Sequence, residues 1–285
     1  MFAFFCEIGS GLRAEFVLNP LSRRGNQLGD AVRAEFARVG VELVESGALS
    51  HGLDAIIVAG GDGTLAGQIP RAIALAVPIG LVPLGTFNDL ARTLAIPFDV
   101  NGACAVIASG RTRTIDAARV NGAYYVTEAS IGISSRLARL QRSEDKQRFG
   151  LLAILASLLQ AARYARPFRA EIAYDGKHAR VRAIQLTVAN SPRFGGFINV
   201  EDAAIDDGWL DCYSVEIENA LQFFSVAGAI VTGRRRSARG LRTFRSTAFE
   251  VRTHRPHHIS ADGEPAGETP ARFEVLSNAL RVFVP

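Results

Sequence analysis

Residues 54–64 read Asp-Ala-Ile-Ile-Val-Ala-Gly-Gly-Asp-Gly-Thr, an apolar run that leads into a loop with almost no side chains. This pattern predicts a buried strand followed directly by a glycine-rich turn. Glycine lets backbone N–H groups approach a polyphosphate closely, and a helix opening at Thr64 would turn its positive end toward the anion. Asp62 adds a carboxylate for a metal ion or a charge network. The loop is therefore a candidate phosphate site, although a plain tight turn between a strand and a helix has the same pattern.

The loop fits neither of the two commonest phosphate-binding folds. Gly61, Gly63 and Ala66 satisfy the loose dinucleotide pattern Gly-x-Gly-x-x-Ala. However, the next apolar strand, residues 79–82, is followed by Pro83 and by no acidic residue that could bind a ribose hydroxyl. A Walker A loop is excluded because no Gly-Lys-Ser or Gly-Lys-Thr occurs in the chain.

The composition is that of a globular protein. The chain has 285 residues, 48% of them hydrophobic, and a formal net charge of +4, which suits an anionic partner without requiring nucleic acid. Cys6, Cys104 and Cys212 lie far apart without metal-ligand spacing, which favours a reducing, cytoplasmic compartment and buried, inert thiols. The most apolar stretch, residues 149–162, is shorter than the roughly 20 residues that a bilayer requires, and the first residues lack a basic leader. We expect no transmembrane segment and no secretory signal.

The first part of the chain alternates strand and helix patterns. This alternation predicts an α/β nucleotide-binding domain with a parallel sheet over residues 1–118. The predicted strands are residues 14–18, 41–46, 55–59 and 79–82, and the predicted helices are residues 29–38, 64–77 and 88–94, with Pro70 expected to break or shorten the second helix.

From about residue 113 the apolar pattern changes to period two with tight turns. Asn121-Gly122 and Asp175-Gly176 are typical of hairpins, which predicts a mainly antiparallel β-sandwich domain over residues 119–285. Its predicted strands include residues 209–216, 248–253, 272–276 and 280–284, and its predicted helices are residues 150–164 and 220–232.

Two further motifs accompany the glycine loop. Asn19-Pro-Leu-Ser22 ends the first predicted strand, and Pro83-Leu-Gly-Thr-Phe-Asn-Asp89 follows a later one and opens a helix. Because the carboxyl ends of parallel strands meet at one edge of an open sheet, these segments and the glycine loop are expected to converge on one crevice.

The ordered set of motifs resembles that of the diacylglycerol kinase catalytic-domain family. These bacterial lipid kinases share their fold with sphingosine kinases and, more distantly, with NAD kinases. The resemblance covers nearly the whole chain and is carried by residues 19–22, 60–64, 83–89, 206–211 and 262–264. The Gly-Thr-x-Asn-Asp block at residues 85–89 is the part that NAD kinases lack.

The resemblance implies an ATP- and Mg²⁺-dependent lipid kinase that transfers the γ-phosphate of ATP to a lipid hydroxyl, with a diacylglycerol-like acceptor. Residues 1–118 would bind ATP, and residues 119–285 would accept the lipid. The implied nucleotide-binding residues are Asn19, Pro20, Leu21, Ser22, Ser46, Gly60, Gly61, Asp62, Gly63, Thr64 and Thr86.

Carboxylates supply the remaining implied roles. Asp62, Asp89 and Asp116 match an acidic trio expected to organise Mg²⁺ and water beside the phosphates. From their pattern alone, Asp89 could instead cap a helix and Asp116 could lie exposed on a strand. Glu264, with Asp262 as the second choice, is the implied proton acceptor, although Asp-Gly is also a common turn.

A second, structural Mg²⁺ site is implied at residues 204–209. The resemblance assigns its ligands to the carboxylate of Asp207 and to the backbone carbonyls of Ala204 and Trp209. A turn with solvated aspartates is the alternative.

The expected partner is a lipid substrate at a membrane surface, reached by peripheral contact at the inner face, and a homo-oligomer is compatible with the chain. The apolar helix at residues 150–164 and the six arginines of residues 233–245 could make that contact, although core packing and a solvated face are alternatives.

Five residues depart from the family pattern: Arg23, Ala66, Gly67, Glu128 and Phe197, the last of which replaces the third glycine of a Gly-Gly-Gly run. Ala66, Gly67 and Glu128 leave open a non-catalytic lipid- or nucleotide-binding relative. An NAD-kinase-like enzyme is a further alternative, which the Gly-Thr-Phe-Asn-Asp block at residues 85–89 disfavours.

Overall fold

The computed structural model describes residues 11–20, 25–45, 52–133, 166–195, 198–200, 203–217, 222, 225 and 240–285. The predicted helix at residues 150–164 lies outside the described residues, as do most of the residues of the predicted helix at 220–232. Among the described helices, none combines the length and the apolar character that a membrane span needs.

Strands and helices alternate in the first part of the chain, as the apolar pattern predicts. The elements are β1 (Arg13–Leu18), α1 (Gly25–Arg38), β2 (Glu42–Glu45), β3 (Ala55–Gly60), α2 (Asp62–Ala66), α3 (Ile69–Leu75), β4 (Ile79–Pro83), α4 (Asp89–Thr93) and α5 (Val100–Ala108). Strands predominate in the rest: β5 (Thr112–Val120), β6 (Ala123–Tyr125), β7 (Glu128–Gly132), β8 (Phe168–Tyr174), β9 (Lys177–Ala183), β10 (Gln185–Ala189), β11 (Arg193–Phe194), β12 (Ile198–Asn199), β13 (Leu210–Val215), β14 (Leu241–Ser246), β15 (Ala248–Thr253), β16 (His258–Ala261), β17 (Glu264–Glu268) and β18 (Ala271–Phe283).

The chain divides into two compact units. Unit 1 comprises residues 1–115 and 279–285, and unit 2 comprises residues 116–278. Unit 1 therefore includes the last seven residues, 279–285, which the sequence pattern groups with the second domain.

Unit 1 is an α/β layer structure around a parallel sheet. Strands β2, β1, β3 and β4 lie side by side in that order and all run parallel. All six residues of β3 are buried, which explains its continuous apolar sequence. Pairing of β3 with β4 brings Gly60 opposite Pro83, so the two motif loops leave the same edge of the sheet.

The helices of unit 1 confirm one expectation and add one helix. The expected break near Pro70 is confirmed, because the predicted helix over residues 64–77 is two helices, α2 and α3, with Pro70 in the first turn of α3, where its missing N–H costs nothing. Helix α5 was missed, although Asp99 caps its first turn by accepting a hydrogen bond from Gly102 N at 2.7 Å.

Unit 2 is the predicted β-sandwich. One sheet pairs the first part of β18 with β15, β8 and β9, and the other has the antiparallel order β14-β13-β10-β7-β16-β17. Side chains from both sheets form one apolar core, including Tyr125, Ile172, Leu186, Phe249 and Phe273. The fold class predicted from the sequence is confirmed.

The hairpins are confirmed, but the last two strands were predicted wrongly as separate. Residues 121–122 and 175–176 have positive φ and join paired strands, as two-residue turns require. Residues 271–283 form the single strand β18 rather than two strands, with Asn278 at a φ of +52° inside it. Residues 271–278 belong to unit 2 and residues 279–283 to unit 1.

Candidate active site

The glycine loop after β3 packs against the loop after β4. The carbonyl of Gly60 accepts hydrogen bonds from Leu84 N at 2.9 Å and Gly85 N at 3.2 Å. A Cβ atom on Gly85 would lie 2.5 Å from the Cα of Gly61, so a side chain there would push the loops apart. The structure thus brings the two motifs together through a backbone contact that only glycine permits.

A third motif joins them from the end of β1. Asn19 Nδ2 donates to Thr64 Oγ1 at 3.0 Å, and Asn19 N donates to Ala59 O at 3.1 Å. Pro20 and Thr86 are exposed. Leu21, Ser22 and Ser46, also predicted to bind nucleotide, lie outside the described residues.

Asp62 is buried and holds the start of α4. Its carboxylate accepts hydrogen bonds from Asp89 N at 2.9 Å and Leu90 N at 3.1 Å. Burial raises the pKa of Asp62, while these backbone donors act in the opposite direction. Helix α2 begins at Asp62 rather than at Thr64, and the carboxylate of Asp62 acts as the cap of a different helix. Asp89, also buried, is the first residue of α4.

Asn88 was missed as a site residue, although it shapes the turn before α4. Its backbone is left-handed, with a φ of +51°, a conformation that asparagine tolerates better than most residues. Its side chain accepts from Gly85 N at 3.0 Å and donates to Gly85 O at 2.9 Å. The Gly-Thr-Phe-Asn order carries this signal, because asparagine and glycine are typical of turns.

In unit 2, Asp116 is buried rather than exposed on its strand. Its two carboxylate oxygens accept hydrogen bonds from Gly208 N and Asn278 N, each at 2.7 Å. Asn190, which the motif analysis missed, donates through its side chain to Asp116 O at 3.2 Å and Val126 O at 3.0 Å. Like Asn19, it is an asparagine that follows a buried strand, and that signal was available in the sequence.

Asp262 and Glu264 flank Gly263 in the hairpin between β16 and β17. Asp262 and Gly263 have φ values of +47° and +88°, as a two-residue hairpin turn needs. The Asp262 carboxylate accepts backbone hydrogen bonds from residues 126, 127 and 128 at 2.7, 3.0 and 3.0 Å and a further one from the Thr127 hydroxyl. Glu264 is exposed at the start of β17.

Asp207 lies in the turn before β13. Its carboxylate accepts hydrogen bonds from Ala204 N at 3.3 Å and Trp209 N at 3.0 Å and forms an ion pair with Arg245. The structure thus brings the three residues of the implied structural metal site together. However, Ala204 and Trp209 contact Asp207 through their N–H groups, whereas the implied metal ligands are their carbonyls.

The described departures from the family pattern fit the fold. Ala66 is 7% exposed and packs in the core, and Gly67 follows α2 as its C-terminal cap. Glu128 N is one of the donors to Asp262. Arg23 and Phe197 lie outside the described residues.

Comparison with known proteins identifies the family. Residues 16–120 match the model of the diacylglycerol kinase catalytic domain, and residues 127–284 match that of the YegS C-terminal NAD kinase beta sandwich-like domain. A crystal structure of a diacylglycerol kinase from Bacillus anthracis strain Sterne has the same fold, with a TM-score of 0.73 and 19% identity over 96% of this chain and 97% of that one.

Sequence relatives agree with the family models. The diacylglycerol kinase of Bacillus subtilis (strain 168) is 30% identical over 239 residues, which are 81% of this chain and 78% of the relative. That of Staphylococcus aureus (strain Newman) is 27% identical over 242 residues, 84% and 76% of the two chains. An uncharacterized Synechocystis protein is 29% identical over 236 residues, and the match spans 54% of its length. The chain therefore belongs to the diacylglycerol kinase catalytic-domain family and is, at that level, a lipid kinase.

Proposed function

We propose that this protein transfers the γ-phosphate of ATP to a lipid hydroxyl in a Mg²⁺-dependent reaction, with a diacylglycerol-like lipid as the acceptor. The observation that carries the proposal is the junction of three strand ends in unit 1, where Asn19 bonds Thr64 and Gly61 touches Gly85. Family membership supports the reaction class.

Unit 1 binds the nucleotide. Residues 60–64 surround the phosphates, because the glycines leave their backbone open to close approach. The remaining contacts come from the ends of β1 and β2 and from Thr86, namely Asn19, Pro20, Leu21, Ser22 and Ser46 together with Thr86.

Asp62, Asp89 and Asp116 arrange the surroundings of the metal and the phosphates. Carboxylates are hard oxygen donors of the kind Mg²⁺ prefers, and the bound ion would neutralise charge on the phosphates. Since the oxygens of Asp62 and Asp116 accept backbone hydrogen bonds, these two residues act chiefly by positioning α4 and β18.

Glu264 accepts the proton of the attacking hydroxyl. The lipid oxygen forms a bond to the γ-phosphorus while the bond from that phosphorus to ADP breaks, and the hydroxyl proton passes to the Glu264 carboxylate. Asp262 is the weaker candidate because four hydrogen-bond donors already occupy its carboxylate. Its role is to position the hairpin that presents Glu264.

The lipid substrate implies contact with a membrane surface. Of the six arginines in residues 233–245, two are described, and both have partners within the chain: Arg242 pairs with Glu216, and Arg245 pairs with Asp207. Membrane attraction by this segment therefore rests on the other four, each adding about 1 kcal/mol near an anionic surface.

A substrate panel tests the proposal. Purified protein is given radiolabelled ATP and Mg²⁺ with diacylglycerol, ceramide, sphingosine or NAD, the lipids being presented in mixed micelles. We expect label in the lipid, most of it in phosphorylated diacylglycerol. Tight ATP binding without lipid phosphorylation would instead indicate a non-catalytic binding relative, and label in NADP would indicate an NAD-kinase-like enzyme.

A further inference from the structure

In the turn at residues 204–209, the Asp207 carboxylate is paired with the guanidinium of Arg245. The Asp207 carboxylate accepts the N–H groups of Ala204 and Trp209, at 3.3 and 3.0 Å, and the guanidinium of Arg245 pairs with it directly. Ala204 N and Arg245 share one carboxylate oxygen, Oδ2, while Trp209 N occupies the other. Both oxygens through which Asp207 would ligate a metal are therefore already engaged.

Arg245 is held in this place by its strand and by two further contacts. Pairing of β13 with β14 sets Arg245 opposite Asp211, and Arg245 Nε lies 3.9 Å from Asp211 Oδ1. Its guanidinium carbon lies 5.8 Å from the centroid of the Trp209 ring, within the range of a cation–π contact. Three side chains thus surround the guanidinium, and the Arg245 side chain is 39% exposed.

The donor set does not fit the structural Mg²⁺ that the family resemblance implies. Mg²⁺ and a guanidinium compete for the same carboxylate lone pairs, and two cations on one carboxylate repel each other.

We propose that Arg245 is the built-in cation of this turn and takes the place of a structural divalent ion, so that unit 2 reaches full stability without Mg²⁺. The proposal is independent of the kinase activity, in which Mg²⁺ accompanies ATP. It assigns to Arg245 a structural role that its position in an arginine-rich stretch of sequence does not suggest.

Thermal unfolding without nucleotide tests the proposal, with EDTA, Mg²⁺ or Ca²⁺ added to the wild-type protein and to Arg245→Ala. We expect the wild-type melting temperature to be the same in all three conditions. Arg245→Ala should melt about 2 to 4 °C lower in EDTA, and Mg²⁺ or Ca²⁺ should restore part of that loss by binding the freed carboxylate.

Two more variants make the result specific. Arg242→Ala removes another ion-paired arginine from the same strand and should lower stability without any response to divalent ions. Arg245→Lys keeps the charge and should remain insensitive to divalent ions even if Arg245→Ala does not fold. A wild-type protein that Mg²⁺ stabilises, or an Arg245→Ala or Arg245→Lys variant that behaves otherwise, would overturn the proposal.

Discussion

Two motif aspartates, Asp62 in unit 1 and Asp262 in unit 2, hold the backbone in similar ways but differ in what lies beside them. Asp62 is buried and accepts two N–H groups at the start of α4. Asp262 is half-buried and accepts four hydrogen bonds from residues 126–128. In unit 2 the same hairpin also presents the exposed carboxylate of Glu264.

The comparison separates a structural carboxylate from one that can react. A carboxylate whose oxygens accept hydrogen bonds from backbone N–H groups stabilises a particular loop conformation. Such a carboxylate is poorly placed to take a proton from a substrate. A short hairpin that carries both kinds of group positions the side chain that we propose as the proton acceptor. The following predictions test this division of roles, from the largest expected effect on folding stability to the smallest.

Asp262→Asn should lower the free energy of unfolding by about 3 kcal/mol, because an amide cannot accept all the N–H groups that the carboxylate accepts. Asparagine tolerates the left-handed backbone at this position, so the change isolates the hydrogen bonds from backbone strain. Urea denaturation provides the measurement.

Asp175→Asn is the matched control for Asp262→Asn. Asp175 also precedes glycine in a two-residue hairpin and has a φ of +46°, but among the described residues only Ser246 donates a hydrogen bond to its carboxylate. We expect it to cost about 1 kcal/mol. Equal costs for the two variants would show that the donors from residues 126–128 contribute nothing special.

Asp62→Asn should lower the free energy of unfolding by about 2 kcal/mol at neutral pH, since one of two buried N–H groups loses its acceptor. Asp99→Asn is its control, because Asp99 caps α5 from an exposed position and accepts one N–H. The control should cost less than about 1 kcal/mol. A larger loss in the control would argue against the importance of burial at Asp62.

The destabilisation caused by Asp62→Asn should depend on pH. Burial raises the pKa of Asp62 above its ordinary value of 3.8, so the folded chain binds this proton more tightly than the unfolded chain does. The stabilisation from Asp62 is therefore greatest below about pH 4 and decreases as the pH rises through the raised pKa. The difference in unfolding free energy between wild type and Asp62→Asn should shrink from acid to neutral pH, and a difference that grows would contradict the assignment.

The smallest effects should appear in the labelling rates of the buried cysteines, one in each unit. Burial raises the pKa of Cys104 in unit 1 and Cys212 in unit 2 to about 12, so neither thiol should react in the folded protein. In a Cys6→Ala background, Asp262→Asn should speed labelling of Cys212 more than that of Cys104, and Asp62→Asn should do the reverse. Equal acceleration of both thiols would mean that each variant destabilises the whole chain rather than its own unit.

The sequence pattern predicted the elements whose structure depends on residues close together in the chain. The apolar run of β3 and the Asn121-Gly122 hairpin follow from burial and turn chemistry within a few residues. Helix α5 also carried a readable cap at Asp99. Asn278 was different, because a left-handed asparagine inside a continuing strand has the same sequence signal as a turn that ends one.

The site residues follow the same rule. Their identities could be predicted from motifs, but their hydrogen-bond partners are distant in sequence. Asp62 bonds Leu90, and Asp262 bonds Val126, so neither structural role is visible in the residues around it. Only the folded chain shows that Asp262 is engaged while Glu264 is exposed.

The most direct test of this account is single-turnover phosphoryl transfer by Glu264→Gln. The side chain keeps its size and loses its ability to accept a proton, so the rate of transfer to the lipid acceptor should fall by about 10²- to 10⁴-fold, with ATP affinity and melting temperature unchanged. Glu268→Gln, on the same strand and paired with His258, should leave the rate unaltered. An unchanged transfer rate in Glu264→Gln would contradict the assignment of Glu264 as the proton acceptor.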